Sequence, residues 1–93
     1  PLAGAARVSV QHPIALALDA GARDETVAVG RRRFGSWGGL IGGDASEVAD
    51  ALGREAAAGV EGFVLALTDF GQPATIEHLM STVAPAVRDA TSL

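Results

Sequence analysis

Apolar and polar residues follow one another along the second half of the chain in an order that predicts strand, helix, strand and helix. Short apolar runs at residues 37–41 and 63–67 have the length and continuity of strands buried on both faces. Between them, apolar side chains recur at helical spacing, on one stripe formed by Ala45, Val48, Ala49, Leu52 and Ala56. Two such strands joined by a helix are typical of a parallel βαβ unit. The pattern therefore predicts an α/β fold with two neighbouring parallel strands.

The start of the predicted helix carries a recognisable cap. Asp44 is a good N-cap, and Glu47 three residues later completes a capping-box pattern. Gly42 and Gly43 precede the cap, so the order is strand, Gly-Gly turn, helix. Such a turn can receive a phosphate, because free amides and the positive end of the helix dipole favour an anion. A turn with an N-cap explains the same residues without any ligand, and Asp44 itself places a carboxylate there.

A second helix is predicted after the loop that follows residue 67. Its apolar face consists of Ile76, Leu79, Met80, Val83 and Val87. Pro85 is expected to kink this helix or to separate its final turn, because proline lacks the amide hydrogen that a helix interior uses.

The first 35 residues have a weaker pattern with two interpretations. Alternating apolar residues, interrupted at Pro13, indicate a strand at Val8, Val10, Ile14, Leu16 and Leu18. Alanine and leucine dominate residues 14–20, however, and Gly21 stands where a helix-ending glycine would. We therefore favour helical or irregular structure in this lead-in. Residues 23–35 place acids first and arginines last, an order that favours a helix.

Composition narrows the function classes. The 93 residues suffice for one small domain, and 48% apolar content argues against disorder. A net charge of −4 argues against a general nucleic-acid role, and the lack of cysteine excludes disulfides and thiolate chemistry. No His, Asp or Glu pair has metal-ligand spacing, so we expect no metal. No apolar run approaches the roughly 18–20 residues of a membrane span, so we expect a cytoplasmic protein.

Several single residues are candidates for chemistry, each with a structural alternative. The three arginines at 31–33 suit a phosphate or carboxylate, although a solvated helix end explains them too. His12 and His78 are isolated, and isolated histidines are more often structural. Asp69 follows a predicted parallel strand, where α/β proteins keep reactive groups, but an Asx turn before Gly71 is at least as good an explanation. The aromatic candidates for a ring-binding pocket are Trp37 and Phe70, both of which are more often core residues.

The last two-thirds of the chain resembles the C-terminal end of the luciferase-like monooxygenases. The similarity lies in the series GGDASEVADAL, AAAGVEGFVLAL, TDFGQP and a closing helix near VAPAV. The resemblance implies a flavin- or deazaflavin-dependent (β/α)8-barrel oxidoreductase, with these segments as its seventh and eighth strand–helix pairs. It also implies that Gly42, Gly43 and Asp44 lie near the phosphate of FMN or of a deazaflavin coenzyme. The family often has Gly-Thr-Pro or Gly-Ser-Pro where this chain has Gly43, Asp44 and Ala45.

A complete barrel of this kind takes about 250 residues, so 93 residues supply only its last portion. We therefore expect one partial domain, with residues 1–35 as a lead-in and residues 36–93 as a βαβα unit. Exposed strand edges predict self-association or completion by another chain. The isolated chain is expected to be inactive, with its catalytic residues unidentified. The alternative function is a non-catalytic remnant of the fold that oligomerises or binds a small anion.

Overall fold

Residues 9–91 of the chain are described in a computed structural model. Three parallel strands form its sheet: β1 (Ser9–Leu16), β2 (Ile41–Gly43) and β3 (Gly62–Leu67). Their order is β2-β1-β3, so the first strand is central. β1 pairs with β3 over six residues and with β2 over three. The predicted α/β class with a parallel sheet is confirmed.

The central strand corrects the helical or irregular lead-in that we favoured for this part of the chain. The alternation seen in the sequence marks a real strand from Ser9, while Val8 lies outside the described residues. Ile14 and Ala15 are fully buried, because the strand has a neighbour on each side and helices on both faces. Pro13 is tolerated because the pairing with β2 begins one residue later, at Ile14. The Ile14 carbonyl accepts a hydrogen bond from the Thr68 amide at 2.9 Å, so the backbone groups of Ile14 face β3. The nitrogen of Pro13, one residue earlier, therefore faces the opposite side, toward β2. The pairing with β2 has not begun at that residue, so no hydrogen bond is required of it.

The remaining secondary structure is helical. The α-helices are α1 (Arg23–Phe34), α2 (Ala45–Ala57), α3 (Pro73–His78) and α4 (Ala84–Thr91), and 3₁₀ turns occupy Ala20–Ala22 and Gly35–Trp37. α1 confirms the helix predicted from the acid-to-arginine order. No helix within residues 9–91 combines the length and apolarity that crossing a bilayer requires.

The closing helix is interrupted, as Pro85 predicted. Leu79–Val83 form a π-helical turn between α3 and α4, and the Ala84 amide donates to the Leu79 carbonyl. The wider turn falls immediately before the residue that cannot donate, so the two helices follow each other without a break in the chain.

Two predictions about the second strand are wrong. It begins at Ile41 rather than at Trp37, because Gly38 and Gly39 have φ angles of 79° and 71°, which no extended strand allows. It is also not a neighbour of β3, since β1 lies between them. Consecutive strands of a (β/α)8 barrel are neighbours, so β2 and β3 cannot be its seventh and eighth strands in direct succession.

Helices cover both faces of the sheet. On one face, α2 and the π-helical turn enclose a core made of Ile14, Leu16, Val48, Ala49, Leu52 and Val83. On the other face, α1 approaches the carboxyl ends of the strands closely. A Cβ added at Gly30 would lie 2.7 Å from the Cβ of Ala15, so glycine permits this contact. Helices on both faces are typical of open, doubly wound sheets.

Candidate functional site

The predicted phosphate turn lies at the carboxyl end of β2, where α2 begins. The Asp44 side chain accepts a hydrogen bond from the Glu47 amide at 3.0 Å, and the Glu47 side chain accepts one from the Asp44 amide at 3.2 Å. This arrangement confirms the predicted capping box. The amides of Asp44 and Glu47 are therefore bonded to carboxylates of the chain itself, which leaves fewer donors for a bound anion.

The two glycines of this turn serve its packing. Gly43 has a φ of 147°, and a Cβ there would lie 2.7 Å from the Cβ of Glu47. A Cβ at Gly42 would lie 3.0 Å from a methyl group of Val27 on α1. Both positions need glycine because neighbouring side chains already fill the space, so the glycines do not leave an open cradle.

Arg23 completes the charge balance of the turn. Its guanidinium donates to both carboxylate oxygens of Glu47, at 2.7 and 3.0 Å. These bonds, and after them the Asp44 amide, hold the pKa of Glu47 below its ordinary value of 4.5. The same contact, with a smaller one from Asp24, raises the pKa of Arg23. The turn thus holds two carboxylates and one guanidinium that is already paired, a set that does not fit a phosphate.

The three consecutive arginines separate into two groups. Arg31 and Arg32 are exposed at the end of α1, as expected for a solvated helix end. Arg33 turns back toward the sheet, where it donates to the Thr68 carbonyl at 2.8 Å. Its guanidinium also lies 5.0 Å from the ring centre of Phe70. Arg33 therefore ties α1 to the loop that follows β3.

The two histidines lie apart. His12 bridges three segments, with Nδ1 2.7 Å from the Gly39 carbonyl oxygen and Nε2 2.7 Å from a Glu55 carboxylate oxygen. Both ring nitrogens face acceptors, so a protonated ring can donate to each. His78 is half-buried in α3. The contacts of His12 agree with the structural interpretation that we favoured for isolated histidines.

Asp69 forms the Asx turn that was its structural alternative. One carboxylate oxygen accepts from the amides of Gly71 and Gln72, at 3.1 and 3.3 Å. The other accepts from the Thr75 hydroxyl at 2.5 Å. Both oxygens are engaged, so this carboxylate shapes the loop after β3 rather than acting as a free base.

The aromatic side chains correct the expectation that Trp37 and Phe70 belong to the core. Trp37 is 66% exposed and Phe70 is 72% exposed. Both contact Phe34, at ring-centre distances of 4.8 and 5.9 Å, and Phe34 alone of the three is buried. Phe70 also has a φ of 63°, which is uncommon for a residue other than glycine. An aromatic surface therefore lies beside the loop after β3.

A cleft of about 360 Å³ opens where β1 and β3 end. We call it the carboxyl-end cleft, and its polar lining consists of Asp19, Glu25, Thr26, Arg33, Thr68, Asp69 and Thr75. The cleft forms because the chain leaves β1 toward α1 on one face and leaves β3 toward α3 and the opposite face. Neighbouring strands whose connections diverge in this way are where open α/β sheets bind ligands.

Of the polar residues that line the cleft, Arg33 and Asp69 were candidates from the sequence, and the others were not. Asp19, Glu25 and Thr68 come together only because residues 9–16 form a strand that pairs with β3. The alternation that indicated this strand was the available signal. Within residues 9–91, no cluster of three or more His, Asp or Glu side chains is arranged to hold a metal ion.

A scan against protein-family models and searches of curated proteins and of solved structures found no match to this chain.

Proposed function

We propose that this chain is the closing portion of a luciferase-like, flavin- or deazaflavin-dependent oxidoreductase, and that it contributes the carboxyl-end cleft as a ligand site. The family assignment rests on the sequence resemblance. The placement of the site rests on one observation: β1 and β3 are parallel neighbours over six residues and their carboxyl ends open into a cleft. Enzymes with parallel sheets, open or closed into barrels, place their sites at this edge.

The resemblance needs a different strand correspondence from the one expected. β1, which lies outside the resembling segments, and β3 would be neighbouring barrel strands, and the three-residue β2 would be a short addition at the carboxyl end. α1 contacts its face of the sheet at Ala15, Gly42 and Thr68, all toward the carboxyl ends. Toward the amino ends of the same face, Gln11 and Val64 are exposed, the latter by 56%. That uncovered part is the surface that further strands would enclose in a complete barrel.

The cofactor of this proposal is FMN or a deazaflavin coenzyme, held mostly by segments outside this sheet. Its phosphate does not fit the turn of Gly42, Gly43 and Asp44, because carboxylates occupy the Asp44 and Glu47 amides and Glu47 fills the space. We therefore assign no step of a reaction to residues of this turn. What the chain supplies is a shaped edge of the sheet against which a ligand can lie.

The test is a titration of FMN and of a deazaflavin coenzyme into the 93-residue chain in its native assembly, followed by coenzyme fluorescence and by backbone amide shifts. We expect saturable binding that moves the amides of Asp19, Thr68 and Asp69 and leaves those of Gly43 and Asp44 in place. Absence of binding by either coenzyme would reject the oxidoreductase proposal. Shifts confined to the Gly43 turn would reject our placement of the site.

A second candidate is a non-catalytic remnant that self-associates. It is favoured by the outer edge of β3, which has no strand neighbour within residues 9–91, and by the exposed apolar side chains Val64, Ile76 and Met80. The mass of the native particle, measured together with the coenzyme titration, separates the two candidates. A homo-oligomer that binds neither coenzyme would favour the remnant. Binding of a small anion at the Gly43 turn is disfavoured by the carboxylates already there.

A further inference from the structure

We propose that the carboxyl-end cleft receives its ligand through an ammonium or hydroxyl group carried on a short aliphatic stem, and not through a phosphate or carboxylate. This inference names the chemical class of the ligand and rests on the proposed function for the role of the cleft. It depends on three features of the lining: a threonine hydroxyl that no group of the described residues bonds, an excess of carboxylates, and apolar walls.

Thr68 is the most buried polar residue of the cleft lining. Thr68 is 4% exposed and lines the cleft, directly after β3. Its amide donates to the Ile14 carbonyl at 2.9 Å and its carbonyl accepts from Arg33 at 2.8 Å. None of the hydrogen bonds formed within residues 9–91 uses its hydroxyl, although that oxygen is not fully enclosed. Since this oxygen is accessible and Thr68 lines the cleft, the hydroxyl can donate to or accept from a ligand there.

The charges of the cleft favour a cation or an uncharged group. Three carboxylates line it, those of Asp19, Glu25 and Asp69, against the single guanidinium of Arg33. That guanidinium is held against the Thr68 carbonyl and the ring of Phe70. A phosphate or carboxylate would therefore enter a site where negative charge predominates, which is unfavourable at short range.

Two of the carboxylates keep capacity for a ligand. Asp19 uses one oxygen to accept from the Ala22 amide at 2.9 Å, which leaves its other oxygen unbonded within the described residues. Within residues 9–91, the Glu25 carboxylate takes part in no ion pair or hydrogen bond. An ammonium group donates three hydrogen bonds, which matches two carboxylates and one hydroxyl oxygen. A hydroxyl group can use the same partners.

Apart from Thr26 and Thr75, the rest of the lining is aliphatic. Leu16, Leu18, Ala22 and Val29 contribute to its walls, and Leu18 is 49% exposed although it is a large apolar side chain. Such a wall suits a hydrocarbon stem, and small-ligand sites commonly combine apolar walls with a few polar groups. A short alkyl amine or alcohol therefore satisfies both parts of the cleft.

The experiment compares four probes that each contain four carbon atoms: butylamine, butan-1-ol, butyrate and butyl phosphate. Each is titrated into the 93-residue chain, and dissociation constants are taken from the backbone amide shifts of Asp19 and Thr68. We expect butylamine to bind at least about tenfold more tightly than butyrate or butyl phosphate, because charge-assisted hydrogen bonds to carboxylates are lost or reversed for the anions. Tighter binding of either anion would overturn the proposal.

Matched variants separate the cleft from general surface charge. Glu25→Gln should weaken butylamine about tenfold, since one charge-assisted bond is lost. Asp24→Asn removes the same charge one residue away, from a side chain that pairs with Arg23 and does not line the cleft, and should leave the affinity unchanged. Thr68→Val should weaken butylamine and butan-1-ol together, and Thr68→Ser should restore both. Equal effects of the Glu25 and Asp24 variants would contradict the proposal.

The coenzyme titration of the preceding section is run on the same samples. Coenzyme binding without the preference for butylamine would overturn this inference and leave the proposed function standing. A preference for butylamine that depends on Glu25 and Thr68, without binding of either coenzyme, would support this inference and reject the oxidoreductase assignment.

Discussion

Two regions at the same edge of the sheet differ in whether they leave space and unbonded polar groups for a ligand. At the end of β2, the side chains of Asp44 and Glu47 bond two amides at the start of α2, and Arg23 neutralises one of the two carboxylates. At the ends of β1 and β3, a cleft remains, and Thr68 lines it with a hydroxyl that no residue of the described chain bonds. The first region carries the sequence signature of a ligand site, and the second has the geometry of one.

The difference shows that a helix start attracts anions only while its amides are free. A capping box satisfies two of those amides locally, from residues three positions apart, so the sequence alone specifies it. The cleft instead depends on a strand order that brings residues 19, 25 and 68 together, which local sequence does not specify. Motifs that resemble phosphate turns therefore need a check for internal carboxylates before a ligand is assigned to them.

The largest effect that tests this comparison is expected at Gly43. Gly43→Ala should lower the free energy of unfolding by about 2–4 kcal/mol. The alanine would have to adopt an unfavourable positive φ, and its Cβ would collide with Glu47. Gly59→Ala is the matched control, since Gly59 also has a positive φ, of 113°, but a Cβ there would meet nothing within 4 Å. The control should lose only about 1 kcal/mol of unfolding free energy, which is the cost of the positive φ without a steric collision. Urea denaturation measures both variants.

Equal losses at the two glycines would show that the space beside Glu47 is not filled. In that case the turn retains room for a ligand, and our rejection of a phosphate there would have to be withdrawn.

The parts of the fold that could be predicted are those in which local sequence decides the structure. The cap at Asp44, the helical stripe of α2 and the break near Pro85 each follow from spacing or backbone chemistry within a few residues. β1 was misassigned because the alanines and leucines of residues 14–20, which overlap its end, suit a helix in isolation, whereas burial between two strands makes it extended. The exposed positions of Trp37 and Phe70 were missed because both side chains pack on Phe34 at the surface, a contact between distant segments.

A smaller effect is expected at the carboxyl-end cleft, in the loop after β3 that forms one of its walls. Thr75→Val should lower the free energy of unfolding by about 1–2 kcal/mol, because the buried Asp69–Thr75 hydrogen bond is lost. Hydrogen exchange should accelerate at the Gly71 and Gln72 amides, which bond to the same carboxylate.

Thr82→Val is the control for this variant, because Thr82 is exposed and its hydroxyl bonds to Ser81 at the surface. Its effect should stay within about 0.5 kcal/mol. If the two threonine variants are equally mild, the Asx turn does not hold the cleft wall, and the Asp69 carboxylate is then free enough to act on a ligand.

The smallest expected effect is a pH dependence at the turn after β2. Since the folded state lowers the pKa of Glu47, its ionised form stabilises the fold, and that contribution is present at neutral pH and lost as the pH falls below about 4. The free energies of unfolding of the native chain and of Glu47→Gln should therefore converge on acidification. At neutral pH, the free energies of unfolding of these two proteins should differ only slightly, because both partners of the Arg23–Glu47 pair are partly exposed.

Arg23→Gln provides the matching test, because removing the guanidinium removes the first cause of the lowered pKa. In the Arg23→Gln background, the change in the free energy of unfolding caused by Glu47→Gln should depend less on pH than it does in the native chain. If Glu47→Gln changes the stability of the native chain by a constant amount from pH 7 to pH 3, Glu47 is not bonded to Arg23 in solution. The turn would then lack the paired carboxylate that distinguishes it from the open cleft, and the two regions would have to be considered equally as ligand sites.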